Sequence, residues 1–505
     1  MNRKTFYGPT LVLGTNVETG EPLLLYGDGL CRHKVVYGLS GMGKSKLISS
    51  MPVQLLNQGL PFAIIDPHSD LGDDILSILH QTGFFQHPKA YDRLWYIRFA
   101  QPDRAVAFNW LKQPFPPQQV AANFLECCKR VWGSLDEGTS VTFENMILAA
   151  TTVLCENNRP LTDLARLLSD PLFRERLLEG VSDPVVLEFF HTRFDHYGKM
   201  ALESTLRRLF LLTFSPQLRH ALGAADNTIN FSQIIDNKIS VIFDLGGLDE
   251  QTQRFLGVLL TVGFEMAMLA RASQPVAKRT SYFLGIDEWA QFLSQSPESL
   301  SRMLDLTRKF GLSLTLASQT MSQTRDIRAS LQNCLQIAFR LGHDDAHLAA
   351  SRFVAPIPPQ EPTLLEETLI SLLGGRPSLL YQPEEPLKAS DWEERLKHLP
   401  KGHALVHLGG KTIQIQTLFV PQPVHERELA SIKAIYARRL LRPIPQHETT
   451  SRREAGEDKS ARVVDITKRK PLAANKEQTV PTPQKQQPSR RRTPITNDQP
   501  HTSSQ

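Results

Sequence analysis

The stretch Gly38-Leu-Ser-Gly-Met-Gly-Lys-Ser-Lys46, "GLSGMGKSK", fits the pattern G-x-x-x-x-G-K-[ST]. It follows the apolar run "HKVVYG" and precedes a segment that reads as helical from about Lys44. Strand, glycine-rich loop and helix in that order form a phosphate cradle. Gly38, Gly41 and Gly43 let backbone amides close around a triphosphate where side chains would obstruct them. The helix that follows points the positive end of its dipole at the phosphates. The candidate cradle is therefore Gly38, Ser40, Gly41, Met42, Gly43, Lys44, Ser45 and Lys46. Lys44 is expected to reach the β and γ oxygens of ATP, and Ser45 to ligate Mg2+. Pro52 falls inside the expected helix and predicts a kink there or an early end.

Hydrolysis asks for more than a cradle. It needs a carboxylate for the metal and a base for the attacking water. Two later strand-like runs end in Asp. Asp244 is followed by Leu-Gly-Gly, which offers no second carboxylate. Asp287, in "YFLGIDE", is followed by Glu288. The second site meets both needs, since Asp287 would hold Mg2+ through water and Glu288 would orient and activate the nucleophile. An acidic pair that merely caps the next helix is the competing reading. Gln319 ends the next run, "LTLASQ", and reads either as a γ-phosphate sensor or as a solvated strand end.

The rest of the chain supplies a framework. "TLVLGTNVETGEPLLLY" (Thr10–Tyr26) predicts two strands about a polar turn, and "PFAIID" predicts the strand after the loop helix. Residues 110–230 carry helical periodicity, with Leu202, Leu206, Leu209 and Leu212 as one example. Buried strands return at Lys238–Gly247, Ser281–Glu288, Leu312–Gln319 and Leu335–Gly342, with helices between most of them. One of these helices is expected to use Ser296 as N-cap and Pro297 as its first residue, with Leu300, Met303, Leu304 and Phe310 on one face. His403–Val420 predicts a hairpin turning at Gly409-Gly410. The expected fold is α/β, a P-loop nucleotide-binding domain with a mostly parallel sheet covered on both sides. Its expected parts are 1–109 and 231–442, interrupted by an all-helical insertion at 110–230 and followed by a disordered basic tail at 443–505.

Composition narrows the class. Of 57 Lys+Arg and 52 Asp+Glu, 12 and 7 fall in 443–505, which leaves 45 of each sign in the first 442 residues. A neutral body argues against a broad basic face and leaves room for a local one. The tail, with "SRRR" at Ser489–Arg492, reads as a solvated segment or as a holder of DNA or a partner. Five irregularly spaced cysteines favour neither a zinc site nor a disulfide framework. The most apolar long stretch, Phe255–Ala270, contains Glu265 and falls short of the ~20 apolar residues of a membrane span, so it predicts a buried helix.

Taken in order, "RHKVVYGLSGMGKS", "AIIDPHSDL", "LGIDEWAQF", "RKFGLSLTLASQ" and "NCLQIAFRLGHDDA" resemble the HerA/FtsK superfamily of P-loop motors. Within it they most resemble the TraD/TraG-type coupling ATPases of type IV secretion and conjugation, over about Thr10 to Val420. The resemblance implies a RecA-like fold, a hexameric ring, DNA as the translocated partner, and secretion or relaxosome proteins as further partners. It also implies that Gln319 is the γ-phosphate sensor and that Arg340 is a finger supplied to the neighbouring subunit. An ion pair of Arg340 with Asp344 or Asp345 is the competing reading, and Arg308 is the rival finger. Asp66 and His68 match the class's "DPHGD" motif, with Ser69 in place of its glycine. Well-studied coupling proteins carry N-terminal membrane helices. This sequence predicts no integral membrane segment, so a cytoplasmic chain, or one docked at the inner membrane face, is expected.

Overall fold

Short runs of β-branched, Leu and Phe residues, each ended by a polar or glycine residue, build the sheet. The computed structural model describes residues 8–133, 137–293, 297–321, 328–331, 333–353, 389–408, 411–420 and 424–445. Among them the strands are β1 (Thr10–Asn16), β2 (Pro22–Tyr26), β3 (Lys34–Tyr37), β4 (Phe62–Asp66), β5 (Leu94–Arg98), β6 (Arg104–Val106), β7 (Ser240–Asp244), β8 (Tyr282–Ile286), β9 (Leu312–Ser318), β10 (Leu335–Ala338), β11 (His403–Leu408), β12 (Lys411–Thr417) and β13 (Leu441–Pro443). Eleven form one sheet in the order β2-β1-β12-β11-β10-β3-β9-β8-β4-β7-β5, while β6 pairs with β13. The run from β10 to β5 is parallel throughout. The β2-β1-β12-β11 wing joins it through the antiparallel β10–β11 pair.

The parallel strands are buried on both faces, and alternate residues enter two cores. Val35, Tyr37, Ala63, Ile65, Val241 and Phe243 join one apolar cluster, and Val36, Phe62, Ile64 and Ile242 join the other. This is the pattern of a sheet sandwiched between helices. On the second face lie the loop helix Lys44–Asn57, the helix Asp70–Gln81 and the late helix Glu426–Leu440. On the first face lies Glu250–Leu269, together with the helices of the segment between β6 and β7, including Pro117–Trp132, Glu137–Glu156 and Lys199–Phe214. Leu209 and Leu212 of the last are buried, as the leucine spacing predicts.

The loop helix neither ends at Pro52 nor stops short; it runs on to Asn57. A proline costs ~3 kcal/mol in a helix interior. Leu47, Ile48 and Met51 before it and Val53, Leu55 and Leu56 after it are all buried, and their packing outweighs that cost. The apolar helix is confirmed as a core element. By length and apolarity Glu250–Ser273 is the one described span that could cross a membrane, and 83% of its most apolar window is buried inside the protein. The proposed N-cap Ser296, the turn Gly409-Gly410 and the tail beyond Pro445 lie outside the described residues. The predicted hairpin itself is present as β11 and β12, and Leu300, Met303 and Leu304 are buried as expected.

Candidate nucleotide site

Parallel strands bring their carboxyl ends to one edge, where an open α/β sheet binds its ligands. At this edge β9 stands between β3, which feeds the glycine loop, and β8, which feeds the acidic doublet. The loop leaves β3 at Tyr37, and the helix starts at Lys44. Gly41 has φ 76° and Gly43 φ 118°, conformations open to glycine and strained for residues with a side chain. A Cβ on Gly43 would also press on Phe339 Cε1 at 3.2 Å and Gly402 Cα at 3.4 Å. The cradle is therefore packed from behind, and its glycines are required by shape.

Lys44 is buried, and its Nζ donates to the Gly38 carbonyl at 2.6 Å. Burial lowers its pKa, and the negative charges of Glu288 and Asp287 oppose that shift. The doublet thus acts electrostatically on the cradle lysine despite some 240 intervening residues. Asp287 is buried at the tip of β8, and its pKa is raised by desolvation and by Glu288, against the pull of Lys44. A cation beside this pair would relieve both effects, so the donor set suits Mg2+, a hard ion that takes oxygen ligands. Glu288 has φ 46°, rare for a residue with a side chain and a form of strain that collects at functional sites. Its Oε1 accepts from Gln319 Nε2 at 2.9 Å. The residue at the tip of β9 therefore touches the candidate base directly.

Two expected residues are engaged elsewhere. The Lys46 ammonium donates to both carboxylate oxygens of Asp74 at 2.7 and 2.8 Å, so its side chain leaves the cradle. Arg308 pairs with Asp28 beside the amino ends of β3 and β9, the sheet edge opposite the loop. Arg340 lies two residues past the end of β10, and its Nε donates to the Leu399 carbonyl at 2.8 Å. Among the described residues it forms no ion pair with Asp344 or Asp345; Asp345 instead accepts from the Met321 amide.

The other strand-end aspartates are bound into structure. Asp244 accepts from Ser69 Oγ, the Gly246 amide and the Tyr96 hydroxyl, and it lies 3.8 Å from Arg98. Asp66 is fully buried and accepts from the amides of His68 and Gly72, which closes the turn into the next helix. Burial pushes its pKa up to about 7, with the charges of Asp244 and Asp287 adding to the effect. Sequence reasoning missed the turn at Leu399–Gly402, whose Gly402 amide donates to the Met42 carbonyl of the cradle at 2.9 Å. Its one signal was the glycine in "LPKGHA", which takes φ 79°.

The sheet order and the glycine loop together define a RecA-like P-loop fold. No protein-family model and no curated protein sequence matches the chain. Solved structures do. The unbound bacterial conjugative coupling protein TrwBdeltaN70 aligns with a TM-score of 0.51 and 17% identity, covering 81% of this chain and 89% of that one. The plasmid coupling protein TrwB in complex with ADP and Mg2+ gives 0.51 and 18%, over 82% and 91%. VirB4 of Thermoanaerobacter pseudethanolicus gives 0.50 and 14%, over 81% and 96%. At these identities the likeness establishes a shared fold.

Proposed function

We propose that this chain is an ATP-hydrolysing motor that moves DNA in conjugative or type IV secretion transfer. It works as a ring of identical subunits, with six the expected number, in the cytoplasm or against the inner membrane face. The observation that carries the ATPase reading is the gathering of Lys44, Asp287, Glu288 and Gln319 at one sheet edge. The likeness to TrwB, whose structure with ADP and Mg2+ has the same fold, supports it and supplies the transfer context.

In this reading the loop amides and Lys44 take the ATP phosphates, and Ser45 and Asp287 would hold Mg2+, which would supply charge neutralisation for phosphoryl transfer. Glu288 accepts the proton of the attacking water. Gln319, hydrogen-bonded to Glu288 from the neighbouring strand, reports the state of the γ-phosphate to it. Residues 110–230 serve as the helical insertion of the motor, between the two parts of its nucleotide-binding domain.

Two relatives of this reading stay distinct from it: a HerA-like motor partnered by a nuclease, and an assembly or protein-secretion ATPase that does not touch DNA. The neutral charge of the first 442 residues favours the last of these. ATP turnover with and without single- or double-stranded DNA at low salt separates them, because phosphate contacts weaken steeply as salt rises. The motor reading expects DNA stimulation, loss of nucleotide binding in Lys44→Ala, and binding without turnover in Glu288→Gln. ATP turnover that DNA leaves unchanged rejects DNA as the substrate. Near-normal turnover in Glu288→Gln rejects the assigned base.

A further inference from the structure

Arg340 sits where the motor resemblance places a residue that reaches into a neighbour's site, yet its backbone bonds its own glycine loop and its guanidinium bonds the turn behind that loop. The Arg340 carbonyl accepts the Leu39 amide of the glycine loop at 2.9 Å. Its half-buried guanidinium donates through Nε to the Leu399 carbonyl at 2.8 Å. Leu399 opens the turn whose Gly402 amide, three residues on, donates to Met42 of the same loop at 2.9 Å. Thr417 of β12 holds that turn from the far side, its amide and Oγ1 both donating to the Gly402 carbonyl at 2.8 and 3.0 Å. The preceding Phe339 closes the contact, since a Cβ on Gly38 would lie 2.6 Å from the Phe339 Cβ.

We propose that Arg340 is a positioning residue acting within its own subunit: with Gly402 and Thr417 it braces the back of the glycine loop in its phosphate-binding shape. The proposal rests on the nucleotide-binding reading above. A loop held this way does not need to be ordered by the ligand, so the brace contributes to binding affinity. A finger supplied to a neighbour acts differently. It stabilises charge in the transition state and is worth 10³–10⁵ in turnover, with little effect on binding. The two roles therefore separate into affinity and turnover.

The test titrates a fluorescent ATP analogue with Mg2+ into the full chain and its variants, then measures turnover at saturating ATP. The variants are Lys44→Ala, Arg340→Ala, Arg340→Lys and Thr417→Val. The brace expects Arg340→Ala to weaken binding about tenfold, the scale of one charge-assisted hydrogen bond. Turnover at saturation then recovers to within a few-fold of the parent. Arg340→Lys, which keeps a donor, restores part of the affinity. Thr417→Val removes no charge, and it weakens binding about three- to fivefold through the same turn. If Arg340→Ala does not fold, Thr417→Val decides alone. Unchanged affinity in Thr417→Val overturns the proposal, as does an Arg340→Ala protein that binds normally and has lost turnover. A parent protein that binds no nucleotide, or one whose affinity Lys44→Ala leaves unchanged, would instead overturn the underlying reading.

Discussion

Replacing Arg130 by Met should damage this protein far more than replacing its main partner. Arg130, in the helix Pro117–Trp132, is 1% exposed. It donates to Glu265 of the buried helix Glu250–Leu269 at 2.6 Å and to Glu126 at 3.1 Å. Glu126 also faces Arg302 at 3.4 Å and is partly open to water. In Arg130→Met, Glu265 stays buried with its cation gone, a loss worth about 3–5 kcal/mol. Set against a typical total of about 5–15 kcal/mol, that is a large fraction of the fold's stability. Glu265→Gln keeps an oxygen for Arg130 to donate to and leaves the Glu126 pair intact, so it costs about 1 kcal/mol. The double variant Arg130→Met/Glu265→Leu removes both charges and should return to within about 2 kcal/mol of the parent. Urea denaturation followed by circular dichroism, with all variants measured together, gives the comparison. Equal losses in the two single variants, or a loss below about 1 kcal/mol in Arg130→Met, would refute the asymmetry.

Three further outcomes follow from the same structure. Asp66, raised to about 7 by burial, is neutral in the fold and charged in the unfolded chain between about pH 4 and 7. Its contribution to stability is therefore lost as pH rises through 7; the margin of the parent over Asp66→Asn should shrink from pH 5 to pH 8 in urea midpoints, and a flat margin contradicts the assignment. Gly263→Ala places a methyl in the Phe231 ring and should cost about 1–3 kcal/mol by overpacking, read as a lowered midpoint; an unchanged midpoint means that the ring has room to move. Lys46→Ala removes only the Asp74 pair and should leave nucleotide affinity within about threefold of the parent; a tenfold loss would put its side chain back in the cradle.

The candidate site was legible where chemistry dictates a local pattern. Lys44, Asp287 and Glu288 carry their meaning in spacing and in the apolar strands before them, and Gln319 follows because β9 is the next strand. What the sequence withheld depends on contacts between distant segments. Lys46 matches a motif position, yet its direction is set by Asp74 on another helix. The Leu-Gly-Gly after Asp244 already set it apart from Asp287, but only the fold shows its carboxylate engaged by Ser69, Tyr96 and Gly246. Of the strands, Leu94–Arg98 is hard to read because its run is short and ends in Arg, and its identity comes from pairing with β7. At Pro52 the helix does not end, since packing on both sides of it overrides the local rule.

The helix Glu426–Leu440 completes a surface laid down much earlier in the chain. Tyr436 is fully buried against Tyr91, Tyr96 and Phe85, and Ile432 joins the same cluster. Tyr96 and Tyr436 are 340 residues apart. At ~5–20 residues per second, a ribosome needs about 17–70 s to travel from one to the other. For that interval the nascent chain carries an aromatic face with no cover, so its birth, more than its finished state, is the period when it is most vulnerable to clumping.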